Sequence, residues 1–68
     1  MTDRERTEYI GRRAQELATS GDYMGWLDIE WALRDEGYAE AHRQLDRRGT
    51  RHFLDLLCAI SRKTKNAA

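Results

Sequence analysis

Cys58, His42 and His52 are the side chains of this chain best suited to bond making or metal binding, and each has a neighbour at a useful spacing. His42 and Asp46 sit four positions apart, and His52 and Asp55 three, so each pair meets on one helical turn and would supply two metal ligands. No third ligand has a spacing that completes either set. A catalytic thiol needs Cys58 exposed as a thiolate beside a base. It lies instead in Leu56-Leu57-Cys58-Ala59-Ile60, where burial raises a thiol pKa, and His52 is too far along a helix to share its face. The adjacent acids Asp35 and Glu36 point in different directions from a helix, which leaves no acid and base pair. Gly21, Gly25, Gly37 and Gly49 are scattered singly rather than grouped as in a phosphate-binding loop. These patterns predict a protein that is not an enzyme, with no catalytic residue, no metal and no cofactor.

The elements that would carry these residues are helical. The chain has no proline, few glycines and abundant Arg, Glu, Ala and Leu, which lose little rotamer freedom in a helix. A first helix is expected over 3–19, capped by Thr2 with Glu5 reaching back, turning Ile10, Ala14, Leu17 and Ala18 inward and ending at Gly21. Asp22 is the expected cap of a second helix over 23–36, with Gly25 in its first turn and Gly37 after its end. Trp26, Ile29 and Leu33 share one face of that helix, while Met24, Leu27 and Trp31 fall on nearly the opposite one. A helix apolar on two sides is usually central to its domain. A third helix over 38–48 turns Tyr38, Ala41 and Leu45 inward and stops at Gly49. Thr50 then caps a fourth over 51–63, in which Phe53, Leu54, Leu56, Leu57, Cys58 and Ile60 form the spine of the core, and 64–68 is a frayed tail. The fold class is all-α, a compact bundle of about four short helices in a single domain spanning 1–68.

Length and composition restrict the function further. A chain of 68 residues buries only roughly 60% of its unfolded surface, and a lone cysteine closes no internal disulfide, so helix packing or self-association must supply stability. The charged start Met1-Thr2-Asp3-Arg4 reads as neither a signal nor a transit peptide, and the longest apolar run is far too short to span a bilayer. A small soluble protein of the cytoplasm is expected, binding neither membrane nor small-molecule substrate.

Charge is the most informative feature. The chain is formally neutral, yet residues 22–40 hold six acids against one base, Arg34, and residues 41–68 hold seven bases against two acids. Three readings follow: neutralisation within one fold, a protein interface such as a homodimer pairing acidic and basic regions, or phosphate binding by Arg43, Arg47, Arg48, Arg51, Arg62, Lys63 and Lys65. A helix-turn-helix with Gly37 at its turn fails, because Arg43 and Asp46 occupy positions where that motif buries apolar residues. The segment Leu33-Arg34-Asp35-Glu36-Gly37-Tyr38-Ala39-Glu40-Ala41 resembles the Gly-aromatic loop of ubiquitin-associated domains over less than a quarter of the chain, with Glu36 where that loop usually carries Met. No function is carried over from it.

The aromatic residues complete the picture. Tyr23, Trp26, Trp31 and Tyr38 gather on or beside the second helix. If the other helices cover only the Trp26-Ile29-Leu33 face, then Met24, Leu27 and Trp31 form an exposed partner-binding patch. The expected function is therefore a helical protein-protein interaction module that self-associates or binds a protein partner. The competing expectation is a nucleic-acid-binding regulator using the Arg-rich C-terminal half.

Overall fold

Thr2 starts the first helix as its sequence context predicts. In the computed structural model, which describes residues 2–66, the Thr2 hydroxyl accepts the Glu5 amide at 3.2 Å and donates to the Glu5 carboxylate. Helix α1 then runs over Asp3–Thr19 with Ile10, Ala14, Leu17 and Ala18 buried. It ends at Ser20, followed by Gly21 in the left-handed region.

Helix α2 covers Trp26–Asp35, shorter than the expected 23–36. Gly25 is not in its interior but is its N-terminal cap residue, with extended backbone, and Asp22 does not cap it. The cap comes from far along the chain: the Asp55 carboxylate accepts the Trp26 amide at 2.8 Å. A Cβ on Gly25 would lie 2.7 Å from that same carboxylate oxygen, so glycine is required here by close approach. At the other end, Gly37 has φ of 102°, while Tyr38 donates to the Leu33 carbonyl and Gly37 to the Arg34 carbonyl, both at 3.0 Å. This reciprocal pair is the Schellman arrangement, which satisfies carbonyls that the helix end would leave bare.

Helix α3 is a single turn, Ala41–Leu45, rather than the expected 38–48. Arg47 donates to the Leu45 carbonyl at 2.8 Å, and this tight turn about Asp46 breaks the helix before Gly49 is reached. Helix α4 consequently covers Arg48–Asn66 instead of 51–63. Gly49 lies within its first turn and does not stop α3, and Thr50 lies inside the helix rather than capping it. Residues 64–66 are helical rather than frayed, while 67 and 68 lie outside the described residues.

The four helices form a compact all-α bundle around one core. Leu54 and Cys58 of α4, Ile29 and Leu33 of α2, Ala41 and Leu45 of α3 and the α1 stripe are all buried, with Tyr23, Trp26, Tyr38 and Leu57 packed at the edge. The α4 helix contributes less to this core than its composition suggests: Phe53, Leu56 and Ile60 remain outside it. Burial pushes the Cys58 thiol pKa up, with the Asp55 carboxylate adding to the effect.

The long-range cap ties α2 to α4. Asp55→Ala is expected to lower stability by about 1 kcal/mol. Gly25→Ala displaces the same carboxylate, so the two losses should not add. Thermal melts of the two single variants and the double variant test this, and a fully additive double variant would contradict the shared cap.

Candidate interaction surface

Among the described residues, three of the six acids of residues 22–40 pair with cations, two of them on α1. Arg6 bonds Glu40 at 2.6 Å and Arg13 bonds Glu36 at 3.1 Å. These pairs, with Tyr38 stacked on Tyr9 at 5.0 Å and Arg6 over the Tyr38 ring, hold the segment between α2 and α3 against α1. The Glu40 carboxyl pKa is lowered, first by its own backbone N–H and then by Arg6. The Arg13 guanidinium pKa is raised by Glu36 and Glu16. Lys65 pairs with Asp22 at the far end of the bundle.

The residues with chemical potential do not converge. His42 meets neither Asp46 nor a metal-like cluster; its Nδ1 lies 2.9 Å from Oε1 of Glu30, whose side chain is buried. The other Glu30 oxygen is buried without a partner. Asp55 serves α2 rather than His52, which is exposed. Among the described residues, no group of three His, Cys, Asp or Glu side chains is placed to hold a metal ion.

The seven C-terminal cations are also divided. Arg51 is 3.5 Å from Asp46 and lies over the Trp26 ring, Arg62 reaches Met24 Sδ and the Cys58 carbonyl, and Lys65 is paired. Arg43 lines a polar recess with Asp3, Arg6 and Glu40. Arg47, Arg48 and Lys63 are exposed and, among the described residues, make no ion pair.

The most conspicuous surface is apolar and double. Met24, Leu27 and Trp31 are 51–69% exposed. They form the outward face of α2 and the bend before it, because the Trp26, Ile29 and Leu33 side faces the core. Arg34 covers one side of the Trp31 ring at 4.8 Å, and Asp28 and Asp35 flank the face and, among the described residues, make no ion pair. Asp28 accepts the Met24 amide at 3.2 Å, which fixes the bend that carries Met24.

A second apolar face, not foreseen from the sequence, lies on α4. Phe53, Leu56 and Ile60 are about half exposed. Phe53 also lines a groove of about 300 Å³ with Gly11, Ala14 and Gln15 of α1 and Leu45, Gly49, Thr50 and Leu54. The signal was available: positions 53, 56, 57 and 60 repeat at helical spacing on a different side from 54 and 58, the same two-sided pattern that marks α2.

Compared with family models, curated proteins and solved structures, the chain matches none. No helix among the described residues is long and apolar enough to cross a membrane.

The Glu30 carboxylate depends on His42 for its side-chain partner. His42→Ala should cost about 1–3 kcal/mol by leaving a buried carboxylate unmatched, whereas Glu30→Leu should be nearly neutral. Denaturant titration of both variants checks this. Equal, small losses from both would contradict a buried, histidine-dependent carboxylate.

Proposed function

We propose that the chain is a non-enzymatic protein-protein interaction module of the cytoplasm, and that Met24, Leu27 and Trp31 are its docking face. One observation carries the reading: three large apolar side chains stand together on α2 while the opposite side of the same helix fills the core. Small monomers rarely leave such side chains grouped without use, and tryptophan with neighbouring arginine is the composition typical of binding hot spots. The rim selects the partner's chemistry. Asp28 and Asp35 border the face while Arg34 and Arg62 lie against Trp31 and Met24, so a partner with an apolar ridge and flanks of mixed charge fits best. The buried, unreactive thiol agrees with a reducing compartment.

Titration with an amphipathic helical peptide of leucine and lysine tests the face directly. Binding should shift tryptophan emission to the blue, and Trp31→Ala should raise Kd by about tenfold or more. An unchanged emission at saturating peptide, or the same Kd for Trp31→Ala, would overturn the reading.

A second reading, a nucleic-acid-binding regulator, draws on Arg43, Arg47, Arg48 and Lys63, which are exposed and, among the described residues, make no ion pair. It expects affinity for mixed DNA or RNA that falls steeply with salt and is lost in an Arg43→Ala, Arg47→Ala, Arg48→Ala triple variant. Absence of binding at low salt would end it.

A further inference from the structure

Sulfur occurs in two side chains among the described residues, Met24 and Cys58, and the fold treats them oppositely. Cys58 is fully buried, and burial pushes its thiol pKa up, so the thiolate that reacts with peroxides is both scarce and shielded. Met24 is 69% exposed, more than any other large apolar side chain among the described residues. A thioether needs no deprotonation before it reacts. The accessible sulfur is therefore the one on the α2 docking face.

Its surroundings hold it in place. Asp28 accepts the Met24 amide at 3.2 Å, and Asp55 accepts the Trp26 amide two positions on at 2.8 Å, so the bend that carries Met24 is fixed from α2 and from α4. Arg62 of α4 points Nη1 at the sulfur, 3.1 Å from Sδ, while its Nε donates to the Cys58 carbonyl at 3.4 Å. This half-buried guanidinium has no carboxylate partner among the described residues. Its contact with Met24 is weak as it stands, because a thioether sulfur is a poor acceptor. A sulfoxide oxygen carries most of the negative end of the S–O bond, and a charged donor gains much more from such an acceptor.

We propose that Met24 is a reversible oxidation site, at which a peroxide makes the sulfoxide, Arg62 holds the new oxygen, and docking at the α2 face is weakened. The step balances with hydrogen peroxide alone. A sulfur lone pair attacks one peroxide oxygen, the O–O bond breaks, and the proton on the transferred oxygen passes to the departing one, which leaves as water. Sulfur loses two electrons and the peroxide gains them. The side chain changes from apolar and adaptable to polar, and its tie to Arg62 keeps it from following a partner alongside Leu27 and Trp31. The effect on binding rests on the docking face proposed above, whereas the pairing of Met24 with Arg62 does not.

Peroxide treatment of the folded chain, followed by peptide mapping, should put one added oxygen on Met24 while Cys58 remains a free thiol. The oxidised chain should bind the leucine-lysine peptide about tenfold more weakly, and methionine sulfoxide reductase with dithiothreitol should restore the affinity. A Met24→Leu chain given the same peroxide should keep its affinity. Melting temperature reads the role of Arg62: oxidation should shift that of the wild type upward relative to the shift it causes in Arg62→Ala, or in Arg62→Gln if circular dichroism shows the alanine variant unfolded. Oxygen on Cys58 ahead of Met24, an oxidised chain of unchanged affinity, a loss of affinity that Met24→Leu shares, or equal shifts of melting temperature with and without Arg62 would each overturn the proposal. A reduced chain that fails to bind the peptide removes the docking face and the control of binding with it, and the map and the melts then decide the Met24–Arg62 site alone.

Discussion

The packing of Leu54 and Cys58 of α4 between α1 and α2 is the contact on which the rest of the molecule depends. It uses one narrow stripe of a 19-residue helix. A chain of 68 residues has few other elements with which to cover the remaining sides, and α3 is a single turn. Hydrophobic burial is roughly proportional to area, so apolar side chains left off that stripe contribute little to stability. Phe53, Leu56 and Ile60 are such residues on α4, and Leu27 and Trp31 are their counterparts on α2. The exposed faces are therefore a consequence of how small the core is relative to the apolar content of its two central helices.

Polar contacts fix where those faces point. Asp55 caps α2 from α4 and sets the angle between them, while Arg6 and Arg13 of α1 pin the segment after α2 through Glu40 and Glu36. The formal neutrality of the chain is in part an internal balance. Four acids of residues 22–40 find partners on α1, α3 and α4, which among the described residues leaves Asp28 and Asp35 without ion pairs beside the bare face of α2. Surface pairs of this kind add little energy singly. Their larger effect is to determine which charges remain for a partner.

Much of this was legible in the residues. The α1 cap at Thr2, the α1 core stripe and the turns at Gly21 and Gly37 follow from local rules, and the structure has each of them. The two-sided pattern of α2 indicated its bare face. What could not be read depended on contacts between distant residues. Gly25 looked like a flaw in a helix until Asp55, thirty positions on, took its place as the cap. The break between α3 and α4 falls at Asp46, where a tight turn forms without glycine or proline, and Gly49 misled because it adopts helical backbone. His42 found Glu30 across two helices rather than Asp46 on its own. The α4 ridge carried the same signal as α2, but seven apolar residues in eight positions read more simply as core.

The exposed α2 face is where the proposed function and the limits of a small core meet. The most direct measurement is the amide NMR spectrum of the wild type as an amphipathic leucine-lysine helical peptide is added. The account predicts shifts at Leu27 and the Trp31 indole, while the core amides of Ile10, Leu33 and Cys58 hold still. Spectra that superimpose at every peptide concentration, or shifts that leave Leu27 and Trp31 untouched, would contradict it.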